Sequence, residues 1–363
     1  MRPTWAEISL NSLKSNFLQV KRIVGKDIGV MSVVKADAYG HGAVAVSKTL
    51  VDLGSEMLGV ATVEEALHLR ESGIKAPVVV LGGIQPEEAE IVIKNDLAPS
   101  IFSISSAQAL DQFAERFGKK ARLHLEVDTG MNRLGFELGE IPAFLKQLTG
   151  LANLEMEGMF THFANAEGKS RDYTLNQISV FNKMLSLVNL AGLYPKYTHS
   201  ANSAAIQRYP QSHMNMVRPG IMLYGSGKVG DCELCPVMRL KTRIIQLKRL
   251  PAGTPVSYGG TFVTTKPTTI ATLPIGYADG YSRILSNRAR VSIKEFTAPV
   301  VGAVCMDFTM IDVTEVPGVN VGDEVVLLGD ERVSVEDVAN WSETISYEVL
   351  STVGERVPRV YIG

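Results

Sequence analysis

The segment Ile28-Gly-Val-Met-Ser-Val-Val34 runs without a charge into Lys35-Ala-Asp-Ala-Tyr39-Gly-His-Gly42. A short apolar run that ends in a glycine-rich turn predicts a strand covered on both faces, as in a parallel sheet layered with helices. The pattern recurs along the chain: residues 57–61, 78–81, 98–102, 121–127, 156–161, 196–199 and 214–217 bring the total to eight such runs. Segments of helical period lie between them. In Asp172–Leu190, for instance, Ile178, Phe181, Leu185 and Val188 fall on one stripe. Eight alternating units predict an α/β fold built on an N-terminal (β/α)8 TIM-like barrel.

From about Pro236 the texture changes. β-branched runs at 268–274, 298–304, 309–313 and 324–328 are separated by Gly, Pro and Asp turns, which predicts a mostly β C-terminal domain. The Gly-rich stretch 225–231 has little to pack and sets the expected boundary. Residues 1–230 then form the barrel and 231–363 the second domain, with the first few residues free to join the C-terminal sheet. A length of 363 residues suits two domains. There is neither an internal repeat nor a low-complexity tract.

Thirty-six basic and 38 acidic residues leave a net charge of -2, so no global field gathers nucleic acid or an anionic membrane. Any phosphate must be bound locally. The first residues, MRPTWAEISLNSLKSNF, lack a secretory apolar core, and no apolar run is long enough to span a bilayer; a soluble, cytoplasmic protein is expected. Three cysteines, Cys232, Cys235 and Cys305, are too few for a disulfide framework. Cys232 and Cys235 have C-x-x-C spacing, but no second pair or His cluster completes a zinc site, and no metal is expected.

In such a barrel, catalytic groups come from the C-terminal ends of the strands and the loops that follow. The polar residues obey that placement. Lys35 follows the first run, Asp128-Thr-Gly-Met-Asn-Arg133-Leu-Gly135 the fifth, His162-Phe-Ala-Asn165 the sixth, His199-Ser-Ala-Asn-Ser203 the seventh and Arg218-Pro-Gly220-Ile221 the eighth. Desolvation lowers the pKa of a lysine at the end of a buried strand, which is what Schiff-base chemistry requires; the plainer alternative is a salt bridge to Asp37. A phosphorylated cofactor would find donors in Ser203, at the start of a helix, and in the backbone amides of Gly220 and Ile221. Taken singly, these pieces read as a Ser helix cap and a Pro-Gly turn. His41 and His199 read either as site residues or as structural hydrogen-bonding histidines, and Asp307 as an anchor or a turn residue.

These residues resemble the alanine racemases, a family whose barrel is shared by basic-amino-acid decarboxylases. The matching motifs are Val34-Lys35-Ala-Asp-Ala-Tyr39-Gly-His-Gly42, Asp128-Thr-Gly-Met-Asn-Arg133-Leu-Gly135, Thr161-His162-Phe, Ala201-Asn-Ser203, Val217-Arg218-Pro-Gly220, Ser257-Tyr258-Gly259, Gly276-Tyr277-Ala-Asp-Gly280, Cys305-Met306-Asp307 and Tyr347-Glu348. They run in order along essentially the whole chain.

The resemblance implies a pyridoxal 5'-phosphate enzyme that interconverts L- and D-alanine and supplies D-alanine for peptidoglycan. Lys35 would hold the cofactor and serve as the base on one face of Cα, with Tyr258 on the other face, hydrogen-bonded to His162. Arg218 would meet the pyridine nitrogen, and a permanent cation there leaves the ring a weaker electron sink and disfavours transamination. Tyr39, Ser203, Gly220, Ile221 and Tyr347 would bind the phosphate. Arg133 would contact the ring hydroxyl and the substrate carboxylate, which also meets the Met306 amide. Tyr258 and Met306 would come from the second subunit of a homodimer.

Two departures stand out. Many members carry a carbamylated lysine where this chain has Glu126, already an anion and expected to orient Arg133 directly. Ala303 stands where one branch has an arginine lining the access corridor, which bears on strict alanine specificity. Tyr277 and Tyr347 would narrow the pocket around a methyl side chain. The alternatives are a broader-specificity, serine or lysine racemase on the same scaffold and a non-catalytic pyridoxal-phosphate-binding protein; the second domain argues against the latter and Arg218 against a decarboxylase.

Overall fold

The computed structural model describes residues 2–228 and 232–363. Eight strands follow the apolar runs closely: β2 (Gly29–Val33), β3 (Met57–Val60), β4 (Val78–Val80), β5 (Ala98–Ile101), β6 (Ala121–Glu126), β7 (Leu154–Phe160), β8 (Tyr197–His199) and β9 (Met216–Val217), numbered after β1 (Thr4–Ser9). They are parallel, in the order β8-β7-β6-β5-β4-β3-β2-β9. β9 pairs with β2, and the remaining seam, between β8 and β9, is bridged by a side chain: Asn215 accepts from the Thr198 amide at 2.7 Å and donates to the Lys196 carbonyl at 2.8 Å. Met31, Met57, Val79, Ala98 and Met216 fill part of the interior with apolar volume, and a cluster of polar groups gathers at the C-terminal mouth. Helices such as Asp172–Leu190 turn a buried stripe (Ile178, Phe181, Val188) into the main hydrophobic core.

The second domain is mostly β. Its six-stranded sheet runs Phe296–Pro299, Arg290–Ile293, Glu324–Leu328, β10 (Met238–Arg243), β1 and Arg359–Ile362, so the first strand of the chain lies inside it. A three-stranded sheet joins Gln246–Leu250, Thr268–Leu273 and Thr309–Asp312. Two details differ from expectation. The run 298–304 does not continue as one strand, because its register with Arg290–Ile293 ends at Pro299, Val300 bridges to Ile311 instead, and Gly302 then turns the chain with a φ of 73°. β10 has no apolar run at all; its residues alternate buried and exposed, the mark of a half-buried strand. The boundary expected at 230/231 falls outside the described residues.

Candidate active site

A cavity of about 270 Å³ opens at the C-terminal ends of the barrel strands. It gathers Lys35, Tyr39, Glu126, Arg133, His162, Ser203, Arg218, Gly220, Ile221 and Tyr347. A larger hollow of about 370 Å³ lies in the C-terminal domain, but Arg283 and Glu348 are its only charged lining residues. Convergent chemistry, not size, selects the barrel mouth.

Lys35 is not the last residue of the strand but the first of the turn Lys35–Gly40. That turn is left-handed: Ala36, Asp37, Ala38 and Tyr39 have φ between 50° and 54°. Left-handed backbone costs roughly 1–2 kcal/mol per non-glycine residue, so the turn persists only because its surroundings fix it. Glu65 takes the Ala36 amide and the Ala61 amide at 2.7 Å each, Asp37 takes the Ala43 amide at 2.6 Å, and His41 Nδ1 reaches the carbonyls of Ala38 and Tyr39 at 3.0 and 2.8 Å. The Asp37 carboxylate is thus engaged elsewhere, and among the described residues Lys35 forms no ion pair. Its side chain is exposed within the open mouth. Desolvation, then the Arg133 charge, hold its pKa below the usual lysine value. His41 is structural, tying off the turn.

Ser203 is buried, and its hydroxyl accepts from the amides of Gly220 at 2.9 Å and Met222 at 3.4 Å. The helix cap is Asn202, whose side chain takes the Ala205 amide at 3.1 Å, so the expected alternative role of Ser203 as a cap is not the one it plays. A Cβ on Gly220 would lie 2.5 Å from the Tyr39 hydroxyl, so only glycine lets the two approach. Tyr39 and Tyr347 face each other with ring centroids 6.1 Å apart, and burial raises the pKa of both.

Arg218 is buried and held by oxygen and nitrogen acceptors: the His199 carbonyl at 2.6 Å, His199 Nδ1 at 2.8 Å and the Thr161 carbonyl at 2.6 Å. Desolvation brings its pKa down to about 10, against the attraction of Glu126, and it remains a cation at neutral pH. His162 is driven down to about 3 by burial and the charges of Arg218, Arg133 and Lys35, so it is neutral.

Glu126 departs from the expected picture. Its carboxylate accepts from the Ser100 hydroxyl at 3.1 Å and, among the described residues, makes no ion pair with Arg133, which is exposed. Burial raises its pKa to about 7, outweighing the Ser100 bond, Arg218 and Arg133, so at neutral pH it is only partly ionised. Glu65 and Ser100 were not singled out in the sequence; each acts through a loop or strand partner far away in the chain.

Tyr258 and Met306 do not join this cavity. They stand on the C-terminal domain, 74% and 54% exposed, beside the exposed Tyr277 and Phe308. Ala303 is buried, its carbonyl accepting from the Ser257 hydroxyl at 2.7 Å. Asp307 pairs with Arg356 at 2.6 Å, and Arg356 also flanks the buried Asp279, which Arg2 grips through both carboxylate oxygens at 2.6 and 3.0 Å. Among the described residues no group of three or more metal-ligating side chains forms, and no helix is long and apolar enough to cross a membrane.

Comparison with known proteins agrees with this architecture. Residues 8–228 match the alanine racemase N-terminal domain and residues 237–361 its C-terminal domain. The alanine racemase of Halothermothrix orenii is 46% identical over 367 residues, 99% of this chain and 97% of that one. The solved alanine racemase of Clostridium difficile 630 superposes with a TM-score of 0.95 at 40% identity, covering 100% of this chain and 96% of the other. That of Bartonella henselae, solved with covalently bound pyridoxal phosphate, gives a TM-score of 0.91 at 31% identity and covers 100% of both chains. With both domains matched and identity sustained from end to end, this chain belongs to the alanine racemase family.

Proposed function

We propose that the protein is an alanine racemase that interconverts L- and D-alanine with pyridoxal 5'-phosphate held at Lys35. The observation that carries the reading is the convergence, in one cavity, of a lysine of lowered pKa, a buried guanidinium and a serine-glycine cradle. The residues fit the cofactor. Ser203 and the amides around Gly220 and Ile221 offer donors to a phosphate, Tyr39 and Tyr347 close over it, and Arg218 presents a cation suited to an unprotonated ring nitrogen. Bound pyridoxal phosphate withdraws electrons from Cα of the amino acid and so acidifies its Cα–H bond.

Lys35 Nζ takes or returns the proton on one face, and its lowered pKa leaves more of it neutral at working pH. A single base would mostly restore the starting isomer, so the other face needs Tyr258. In our reading the C-terminal domain of a second subunit brings Tyr258 and Met306 over the cavity, with the neutral His162 supporting the phenol. Their exposure, together with that of Tyr277 and Phe308, supports a homodimer in which these side chains are covered. Arg133 and the Met306 amide would hold the substrate carboxylate. A cytoplasmic location, a domain boundary near residue 230 and a role in supplying D-alanine for peptidoglycan belong to the same reading.

The test is the absorbance spectrum of the purified protein, before and after borohydride, beside Lys35→Ala. A band at roughly 420 nm that borohydride abolishes and the variant lacks is expected. A wild-type protein that stays colourless in added pyridoxal phosphate overturns the reading. Tyr258→Phe should lose racemisation while retaining the band.

A further inference from the structure

Behind Arg218 a line of buried polar side chains descends inside the barrel, and the reaction as described uses none of them. Arg218 meets His199 Nδ1 at 2.8 Å; His199 Nε2 lies 2.8 Å from His124 Nδ1; His124 Nε2 faces Glu157 Oε2 at 3.5 Å. Glu157 then meets Arg122 at 3.4 Å, and Arg122 meets the exposed Asp96 at 2.8 Å. Both histidines are wholly buried.

Elementary chemistry fixes the direction of this chain. A guanidinium only donates, so His199 Nδ1 must accept. Burial, then the Arg218 charge, keep His199 neutral, so its one proton sits on Nε2 and is donated to His124 Nδ1. The proton of His124 is thereby placed on Nε2, aimed at Glu157. Burial pushes the Glu157 carboxyl up, but His124 and Arg122 outweigh it and keep the group below the usual range, an anion at the end of the line. The opposite tautomer in either ring would set lone pair against lone pair or N–H against N–H.

The backbone is shaped to allow it. Along β6 and β7 the register passes from Leu123 opposite Met156 to His124 opposite Gly158, so Glu157 is an extra, bulged residue. A bulge re-aims a side chain, here into the barrel beneath His124. Gly158 is required in turn, because a Cβ there would overlap the His124 ring. Phe160 stacks on His199 at 5.0 Å and 8°, completing its seat.

We infer that Glu157, His124 and His199 are positioning residues that set the orientation of Arg218 from the far side of the barrel. His199 and the carbonyls of His199, Thr161 and Ser200 engage both terminal nitrogens of the guanidinium. Among the described residues its Nε–H alone makes no hydrogen bond, and is the donor left for a ring nitrogen. This rests on the proposal that a pyridine ring meets Arg218. If the chain is broken, Arg218 is free to tilt, the ring nitrogen can gain a proton, and alanine and pyridoxal phosphate pass more often to pyruvate and pyridoxamine phosphate.

The first test needs no cofactor: ¹⁵N NMR of the imidazoles in the cofactor-free protein, assigned with His199→Asn and His124→Asn. Neutral rings protonated at Nε2 are expected for both; a proton on Nδ1 of either, or a cationic ring, overturns the chain. The second uses the loaded enzyme and counts pyridoxamine phosphate per racemisation turnover. His199→Leu should raise that ratio by roughly tenfold or more, Glu157→Gln by a few-fold, and His199→Asn, which keeps an acceptor near Nδ1, should restore much of it. Unchanged ratios in both His199→Leu and Glu157→Gln refute the inference even where racemisation stands. A wild type that binds no pyridoxal phosphate sinks the functional reading instead, while the NMR result still decides the chain.

Discussion

Replacing Glu126 with glutamine isolates a buried carboxyl whose folded pKa lies at about 7 against 4.5 for the free group. The folded state therefore holds this proton more tightly than the unfolded chain. Its contribution is intact below about pH 4.5, is lost as the pH climbs toward 7, and stays lost beyond. At 1.36 kcal/mol per pKa unit the full loss is about 3 kcal/mol, most of it between pH 5 and pH 8. Glutamine keeps the shape and an acceptor for Ser100 but cannot ionise. For a chain of 363 residues, an unfolding entropy of about 2.1 cal/mol/K per residue converts that figure to about 3 °C. Scanning calorimetry of the cofactor-free proteins should show the melting temperature of Glu126→Gln, relative to wild type, about 3 °C more favourable at pH 8 than at pH 5. Other titrating groups cancel in the difference. A gap that is the same at both pH values, or that reverses, refutes the reasoning and means that Arg218 and Arg133 hold Glu126 ionised throughout. The same variant bears on catalysis: unchanged kinetics would remove Glu126 from any part in orienting Arg133.

Gly220→Ala places a methyl 2.5 Å from the Tyr39 hydroxyl; overpacking of about 1–3 kcal/mol should weaken pyridoxal phosphate binding roughly 5- to 150-fold, read by absorbance titration. Asp279→Asn removes the charge that Arg2 and Arg356 share, and a loss of about 2–3 kcal/mol, moderated by the exposure of the arginines, should appear as a melting point lower by a few degrees. At Ala36, φ 50°, valine should lower the melting temperature whereas glycine should leave it unchanged or higher, since only the branched residue adds strain to left-handed backbone.

The barrel strands were legible because each is a contiguous apolar run, the outcome of burial on both faces. The mouth was legible for the same reason: a polar residue directly after such a run can only stand at a strand end. Strands made of alternation were harder to see. Met238-Arg-Leu-Lys-Thr-Arg243 has no run, and only the burial of every second residue identifies it. The left-handed turn left no trace, since Ala-Asp-Ala-Tyr carries no preference for it and its cost is offset by Glu65, a partner 29 positions from the Ala36 amide it accepts. Arg122 and His124 were concealed inside one run, and Glu126 was singled out only through the family resemblance, because alternate residues of a strand face opposite sides and Leu123 and Leu125 carry the apolar signal. Tyr258 and Met306 came from the family resemblance alone, and no contact within a single chain would have pointed to them.

Placing β1 between β10 and Arg359–Ile362 has a consequence for biosynthesis. Thr4–Ser9 leaves the ribosome well before either neighbour: β10 follows more than 200 residues later and Arg359–Ile362 more than 300 residues later. A nascent chain must keep the edges of Thr4–Ser9 unpaired while the barrel assembles behind it, and a ribosome that stalls late releases a barrel whose leading strand still lacks its parallel neighbour. Once Arg359–Ile362 docks, two strands more than 300 residues apart in the sequence lie side by side in one sheet. The barrel is then tethered to the second domain at both ends, which restrains hinge opening and makes loss of the last four strand residues, Arg359–Ile362, a lesion felt at the first.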